Sequence, residues 1–101
     1  MRGAQPVIVS IKGYLTLSKL VGERQVDLPD SDQTVRLLLA GLSEEIGEEF
    51  ASQLRYDPSG QLEGNLVVLV NGRHCSHLPD GIDTRLGDGD EVAVFPPIAG
   101  G

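Results

Sequence analysis

The sequence has little cysteine, little lysine and no long apolar run. Cys75 is the single cysteine, so no internal disulfide can form and a reducing compartment, the cytoplasm, is favoured. No run of about 18 apolar residues occurs, and the first residues lack an apolar segment of signal-peptide length. We therefore expect neither a membrane span nor an export signal. Lys12 and Lys19 are the only lysines, and the net charge is −7. Because contacts to phosphate need clustered Lys and Arg, we expect no nucleic acid and no membrane as a partner.

Groups that could carry chemistry are also scarce. His74, Cys75 and His77 form the only cluster that resembles a metal site or a nucleophile. A tetrahedral zinc site needs four ligands, or three plus water, and the chain supplies no convincing fourth. Cys75 is expected to be a small core residue instead. The acidic stretch at 88–91 lacks the ligand spacing of a calcium loop, and no phosphate loop or nucleophile elbow occurs. We expect a protein that is not an enzyme on its own and binds no metal or cofactor.

Apolar patterning predicts five strands. Val7, Val9 and Ile11 alternate with more polar positions and predict a first strand that pairs with a second as an antiparallel hairpin. The continuous apolar run at 66–70 predicts a central strand covered on both faces, and Asn71-Gly72 predicts the tight turn after it. The five predicted strands are residues 7–14, 23–28, 66–70, 73–75 and 91–95.

One long helix is predicted between the second and third strands. Asp32 or Thr34 could cap its start, and apolar residues recur at helical spacing from Val35 to Leu54. Gly47 indicates a break. A stretch at 15–22 is expected to be a turn, residues 56–64 an exposed loop, and residues 82–86 about one helical turn. One helix on a mixed sheet, with the first and last strands parallel at its centre, is an α+β fold with the β-grasp arrangement.

The carboxyl terminus is the most distinctive stretch. Pro96 and Pro97 lack backbone N–H groups and should stop the last strand. Ile98 and Ala99 then lead to Gly100-Gly101, around which another protein's backbone could close because glycine has no Cβ. We expect a β-grasp domain over residues 1–95 and an extended, flexible tail over residues 96–101. A frayed end without function is the competing interpretation.

Residues 88–101 (Asp-Gly-Asp-Glu-Val-Ala-Val-Phe-Pro-Pro-Ile-Ala-Gly-Gly) closely resemble the carboxyl terminus of the MoaD/ThiS sulfur-carrier proteins. The segments Leu20-Val21-Gly22, Thr34-Val35 and Val70-Asn71-Gly72 also resemble MoaD, and the match spans about the whole domain. The Phe-Pro-Pro element favours the MoaD branch over ThiS. The resemblance is specific because it rests on the whole tail motif, whereas a lone Gly-Gly would carry little information.

The resemblance implies a ubiquitin-like β-grasp fold and a role as small subunit of molybdopterin synthase. In that family an E1-like (MoeB-like) enzyme uses ATP to adenylate the terminal glycine, here Gly101, which then becomes a thiocarboxylate. The tail enters the large (MoaE-like) synthase subunit, and the sulfur passes to cyclic pyranopterin monophosphate. By position, the tail residues Pro96, Pro97, Ile98, Ala99 and Gly100 would line the partner's tunnel. Tyr14, His74 and Phe95 would face the partner, with His74 in place of the usual apolar residue.

Other functions remain open at this point. The same chemistry could deliver sulfur for thiamine or for a thiolated tRNA base. A ubiquitin-like modifier would instead be joined through Gly101 to a target lysine. An interaction domain with an incidental tail is the fourth possibility, and in it Tyr14 and Phe95 would be ordinary half-buried strand residues.

Overall fold

A computed structural model describes residues 7–28, 33–54, 57–62 and 66–96 of the chain. Within these ranges five strands and one main helix follow one another in the predicted order. The strands are β1 (Val7–Gly13), β2 (Glu23–Leu28), β3 (Val67–Val70), β4 (Arg73–His74) and β5 (Glu91–Phe95). The helices are α1 (Leu17–Leu20), α2 (Val35–Ile46) and α3 (Glu48–Ala51), with 3-10 turns at Cys75–His77 and Gly81–Asp83.

The five strands form one mixed sheet in the order β2-β1-β5-β3-β4. The predicted hairpin is confirmed, since β1 and β2 pair antiparallel with Val9 opposite Val26. The predicted parallel pair is confirmed as well, since β1 runs beside β5 with Ile11 opposite Val92. Parallel neighbours need a crossover connection, and α2 lies in the segment that joins them. The β-grasp architecture is therefore present.

Helix α2 begins and ends where the sequence indicates. The Thr34 hydroxyl accepts a hydrogen bond from the Leu37 N–H (3.3 Å), which satisfies one of the free donors of the first turn. The break at Gly47 is confirmed: its φ of 106° lies in a region that glycine adopts freely, and α3 starts one residue later. Asp32, the other candidate cap, lies outside the described residues.

The core lies between α2 and one face of the sheet. Inward-facing side chains of the strands and the apolar stripe of the helices form a single buried cluster. Its fully buried members include Val9, Ile11, Leu17, Val35, Leu39, Phe50, Val68 and Val94. Cys75 belongs to this cluster, as predicted. The opposite face of the sheet bears Lys12, Tyr14 and Phe95 and carries no described helix. Within the described ranges, no helix is both long and apolar enough to cross a bilayer.

Two sequence expectations were wrong. Strand β3 is not covered on both faces: Val68 and Val70 are buried, whereas Val67 and Leu69 lie half-buried on the helix-free side. The apolar run reflects a sheet face that is itself apolar, and β5, not β3, is the central strand. The stretch at 15–22 contains α1 rather than a simple turn, and its Leu17 is buried.

Helix α1 packs against β1 at a glycine. A Cβ at Gly13 would overlap the carbonyl oxygen of Leu17 and lie 2.8 Å from Cβ of Val21. The absence of a side chain at Gly13 therefore lets the chain fold back directly onto the end of β1. The Gly13 N–H donates to the Gly22 carbonyl (2.8 Å) and closes this connection.

Candidate functional site

The candidate site lies at the end of the sheet where the parallel strands β1 and β5 both finish. Because the two strands run parallel, their carboxyl ends lie side by side. Tyr14, which follows β1, therefore lies beside the end of β5. The Tyr14 N–H donates to the Val94 carbonyl (3.0 Å) and continues the ladder by one residue. The chain leaves the sheet here through Phe95 and Pro96, and Pro96 is buried.

Tyr14 and Phe95 form an aromatic pair on the helix-free face. Their ring centroids lie 4.4 Å apart, and the ring planes are 9° from parallel. The Lys12 ammonium lies 5.0 Å from the centroid of the Tyr14 ring, within range of a cation–π interaction. Both aromatic residues are half-buried, so each keeps part of its surface available to another molecule.

His74, the third residue expected to face a partner, is placed differently. It lies on β4 opposite Leu69 of β3, and β3 lies between β4 and the strand that ends at Phe95. Its Nδ1 accepts a hydrogen bond from the Ser76 N–H (3.2 Å), and its ring centroid lies 5.6 Å from that of His77. The structure thus brings Tyr14 and Phe95 together and leaves His74 at the opposite edge strand.

A shallow groove of about 420 Å³ runs along the helix-free face. Tyr14, Phe95, Leu69 and Ala93 supply apolar surface to it. Its charged and polar lining residues are Ser10, Lys12, Glu23 and Glu91. The groove thus combines apolar and aromatic surface with charged groups, as protein–protein interfaces do.

A larger cavity of about 690 Å³ lies elsewhere and shares no residue with the groove. Cys75 is its only thiol, and burial raises the pKa of that thiol, which keeps it protonated and a poor nucleophile. Among the described residues, no group of three His, Cys, Asp or Glu side chains is placed to hold a metal ion.

Asn71 fixes the start of β5 from the neighbouring hairpin. Its side-chain oxygen accepts from the Glu91 N–H (2.9 Å), and its side-chain amide donates to Asp90 Oδ1 (3.0 Å). Its own N–H donates to the Glu91 carbonyl (2.7 Å). From the sequence, Asn71 was predicted to be a turn residue within the segment Val70-Asn71-Gly72 that resembles MoaD, and no contact with β5 was predicted for it. These contacts join positions about 20 residues apart, and no local pattern signals them.

The tail positions Pro97, Ile98, Ala99, Gly100 and Gly101 lie outside the described residues. Their roles therefore stay predictions, as does the domain boundary at residue 95. The structure does describe where the tail begins. Phe95 ends β5, Pro96 follows it, and both lie at the end of the sheet that also carries Tyr14.

Comparison with known proteins gives the family. The model of the ThiS family matches residues 15–101. The chain is 38% identical over 94 residues to small archaeal modifier protein 3 of Haloferax volcanii, covering 92% of this chain and 98% of that protein. It is 33% identical over 93 residues to a protein of Archaeoglobus fulgidus that is named as a proposed sulfur carrier, covering 92% and 100%.

Two solved structures share the fold. A solution structure of a Haloferax volcanii protein has a TM-score of 0.79 and 37% identity, covering 95% of this chain and 88% of that chain. A Pyrococcus furiosus protein named as a proposed molybdopterin converting factor, subunit 1, has a TM-score of 0.68 and 30% identity, covering 91% and 99%. The names of these relatives differ in function, so they do not single out the MoaD branch. With its β-grasp fold and a family match over most of its length, the chain belongs to the ThiS family of ubiquitin-like sulfur carriers.

Proposed function

We propose that this protein carries sulfur on its carboxyl-terminal glycine and acts as the small subunit of molybdopterin synthase in the cytoplasm. The observation that carries the proposal is the arrangement at the end of β5. A tail ending in Gly100-Gly101 follows a strand whose last residue, Phe95, stacks on Tyr14 at a partly exposed edge. Membership of the ThiS family and the Phe95-Pro96-Pro97 sequence support the same function.

The chemistry needs groups from partners. An E1-like enzyme would join the Gly101 carboxylate to the AMP part of ATP and release pyrophosphate, which gives the acyl carbon a good leaving group. A hydrosulfide equivalent would then displace AMP and leave a thiocarboxylate. Thiocarboxylate sulfur is ionised at neutral pH and nucleophilic, so a large subunit could pass it to cyclic pyranopterin monophosphate.

The aromatic pair is the proposed contact with the large subunit. Half-buried aromatic rings supply large contact area at low conformational cost, and such residues dominate many interfaces. The narrow path to the partner's active site would hold Pro97, Ile98, Ala99 and Gly100. Pro96 is buried in the domain itself and would mark the position where the tail leaves it. His74 lies two strands from β5 and would contact the margin of the interface.

Reconstitution tests this function. The thiocarboxylated protein, mixed with a MoaE-like large subunit and cyclic pyranopterin monophosphate, should yield molybdopterin. Phe95→Glu should weaken binding to that subunit while the fold persists, because the charge would lose hydration on docking. Efficient thiocarboxylation without any molybdopterin would point to another acceptor, such as a thiamine precursor or a tRNA base.

A second candidate is a protein modifier joined through Gly101 to lysines of other proteins. The 38% identity to a small archaeal modifier protein favours it. The adenylate is the same, but an amine would attack the acyl carbon and form an amide. Trypsin digestion of cell extracts would reveal it as lysines carrying the peptide that begins at Leu86. Their absence, with the tagged protein fully recovered as free chain, would reject this use.

A further inference from the structure

We propose that Leu15 is an anchor that inserts into an apolar pocket of the ATP-dependent enzyme that activates Gly101. This inference rests on the proposed activation of the tail. It extends the partner surface beyond the aromatic pair to a residue that neither the sequence motifs nor the relatives' names assign.

Leu15 is unusual in exposure. Its side chain is 66% exposed, more than the two other large apolar side chains that stand exposed in the described ranges, Ile8 at 42% and Leu37 at 48%. Single exposed leucines are common and by themselves mean little. Position and backbone conformation distinguish this one.

Leu15 is also unusual in backbone conformation. Its φ is 56°, in the left-handed region, and of the described non-glycine residues only Asn71 shares a positive φ. Asparagine adopts this region readily, whereas a bulky leucine there is an outlier that costs free energy. Surrounding hydrogen bonds hold it: the Leu15 carbonyl accepts from the N–H of Ser18 (3.0 Å) and from its hydroxyl (2.7 Å). A glycine would satisfy this turn with less strain, so the large side chain calls for another explanation.

Position supplies that explanation. Leu15 directly follows Tyr14, whose N–H is bonded to Val94 and whose ring stacks on Phe95. Leu15 therefore lies at the same end of the sheet at which the tail begins. Any enzyme that encloses the tail must approach this end of the sheet, and an apolar side chain held outward by a fixed backbone is well placed to enter a pocket there.

The occupant is the activating enzyme because its reaction comes first. Sulfur transfer and conjugation to lysine both begin from the adenylate of Gly101. A contact that secures the tail for adenylation serves both proposed fates, whereas the later acceptor differs between them.

The test combines affinity, activity and stability. Leu15→Asn and Leu15→Gly remove the apolar contact and relieve backbone strain, Leu15→Met keeps the contact, and Leu37→Gln on α2 is the matched control. With the E1-like enzyme of the same organism and ATP, the Asn and Gly variants should bind about tenfold more weakly or worse, since burial of a leucine is worth that much. In ATP–pyrophosphate exchange, KM should rise with little change in kcat. Their Tm should be equal or higher.

Leu15→Met and Leu37→Gln should bind within about threefold of the unaltered protein. Affinity within twofold for all variants, a lower Tm for Leu15→Gly, or a change only in self-association of the free protein would each overturn the assignment. If the unaltered protein is not adenylated, the proposed function fails instead, so the two failures are distinguishable.

Discussion

Tyr14 and Phe95 stack face to face, 4.4 Å between ring centroids, although 80 residues separate them in the chain. The parallel pairing of β1 and β5 brings them together. A stacked aromatic pair adds about 0.5–1.5 kcal/mol to the stability of a fold, on top of the free energy gained by burying the surface of the two rings. A double-mutant cycle of Tyr14→Ala and Phe95→Ala, followed by urea unfolding, should therefore give a coupling energy in that range. Additive effects of the two substitutions would show that the rings are neighbours without mutual stabilisation.

Two glycines should respond in opposite directions to alanine. Gly13→Ala places a Cβ against the Leu17 carbonyl and should destabilise the fold by about 1–3 kcal/mol, because α1 must move away from β1. Gly41→Ala, in the exposed interior of α2 with nothing within 4 Å of the added Cβ, should stabilise it by about 0.5–1 kcal/mol. Thermal unfolding of both variants measures the difference, and equal effects would contradict the close packing of α1.

Asn71 should contribute more to the free energy of unfolding than its place in a tight turn alone would account for. Asn71→Gly keeps the left-handed turn and the backbone bond to the Glu91 carbonyl but removes the two side-chain bonds, so we expect a loss of about 1–2 kcal/mol in urea unfolding. Asn71→Asp should also destabilise, since a carboxylate would face Asp90. Adding Asp90→Asn should recover part of that loss by restoring one donor between the two side chains. No recovery in the double variant would argue against this contact.

The ion pair between Arg36 and Asp83 should make stability depend on pH. The guanidinium donates to both carboxylate oxygens (2.8 and 3.2 Å) and holds the pKa of Asp83 below its usual value. A lowered folded-state pKa adds stability above the unfolded value, near 3.8, which is lost as pH falls through the folded value. The destabilisation by Asp83→Asn should therefore stay constant from pH 7 down to well above the unfolded pKa, near 3.8, and shrink as the pH falls below that value. In an Arg36→Gln background this pH-dependent part should become much smaller, with a remainder from the hydrogen bond to Gln61, which also lowers the pKa of Asp83. An unchanged pH dependence in that background would show that Arg36 does not cause the shift.

The elements that the sequence predicts correctly rest on local signals. Each of these signals fixes the backbone conformation at its own position. Thr34 caps the start of a helix, Gly47 interrupts it, and Asn71-Gly72 forms the tight turn between two strands. Features set by distant contacts were not predictable in this way. The half-covered β3 depends on which strand lies at the centre of the sheet, and α1 is only four residues long and is stabilised by packing on Gly13.

The same distinction between local signals and distant contacts applies to the candidate site. The tail motif and the aromatic residues could be read from the sequence, because the resemblance to a family covers them. The left-handed backbone of Leu15 could not, since nothing in a Tyr-Leu-Thr-Leu stretch indicates a positive φ. The side-chain bridge from Asn71 to β5 depends on tertiary register and likewise had no local signal.

The central claim is that Gly101 carries the activated carbonyl, and intact mass measures it most directly. The protein would be incubated with an E1-like activating enzyme, ATP and a sulfur donor, alongside a variant lacking Gly101. We predict a mass gain that matches replacement of one terminal oxygen by sulfur in the full chain and none in the truncated one, which should remain folded because the tail follows the core strand. No adenylate and no thiocarboxylate on the full chain, or an equal gain on the truncated one, would contradict the account.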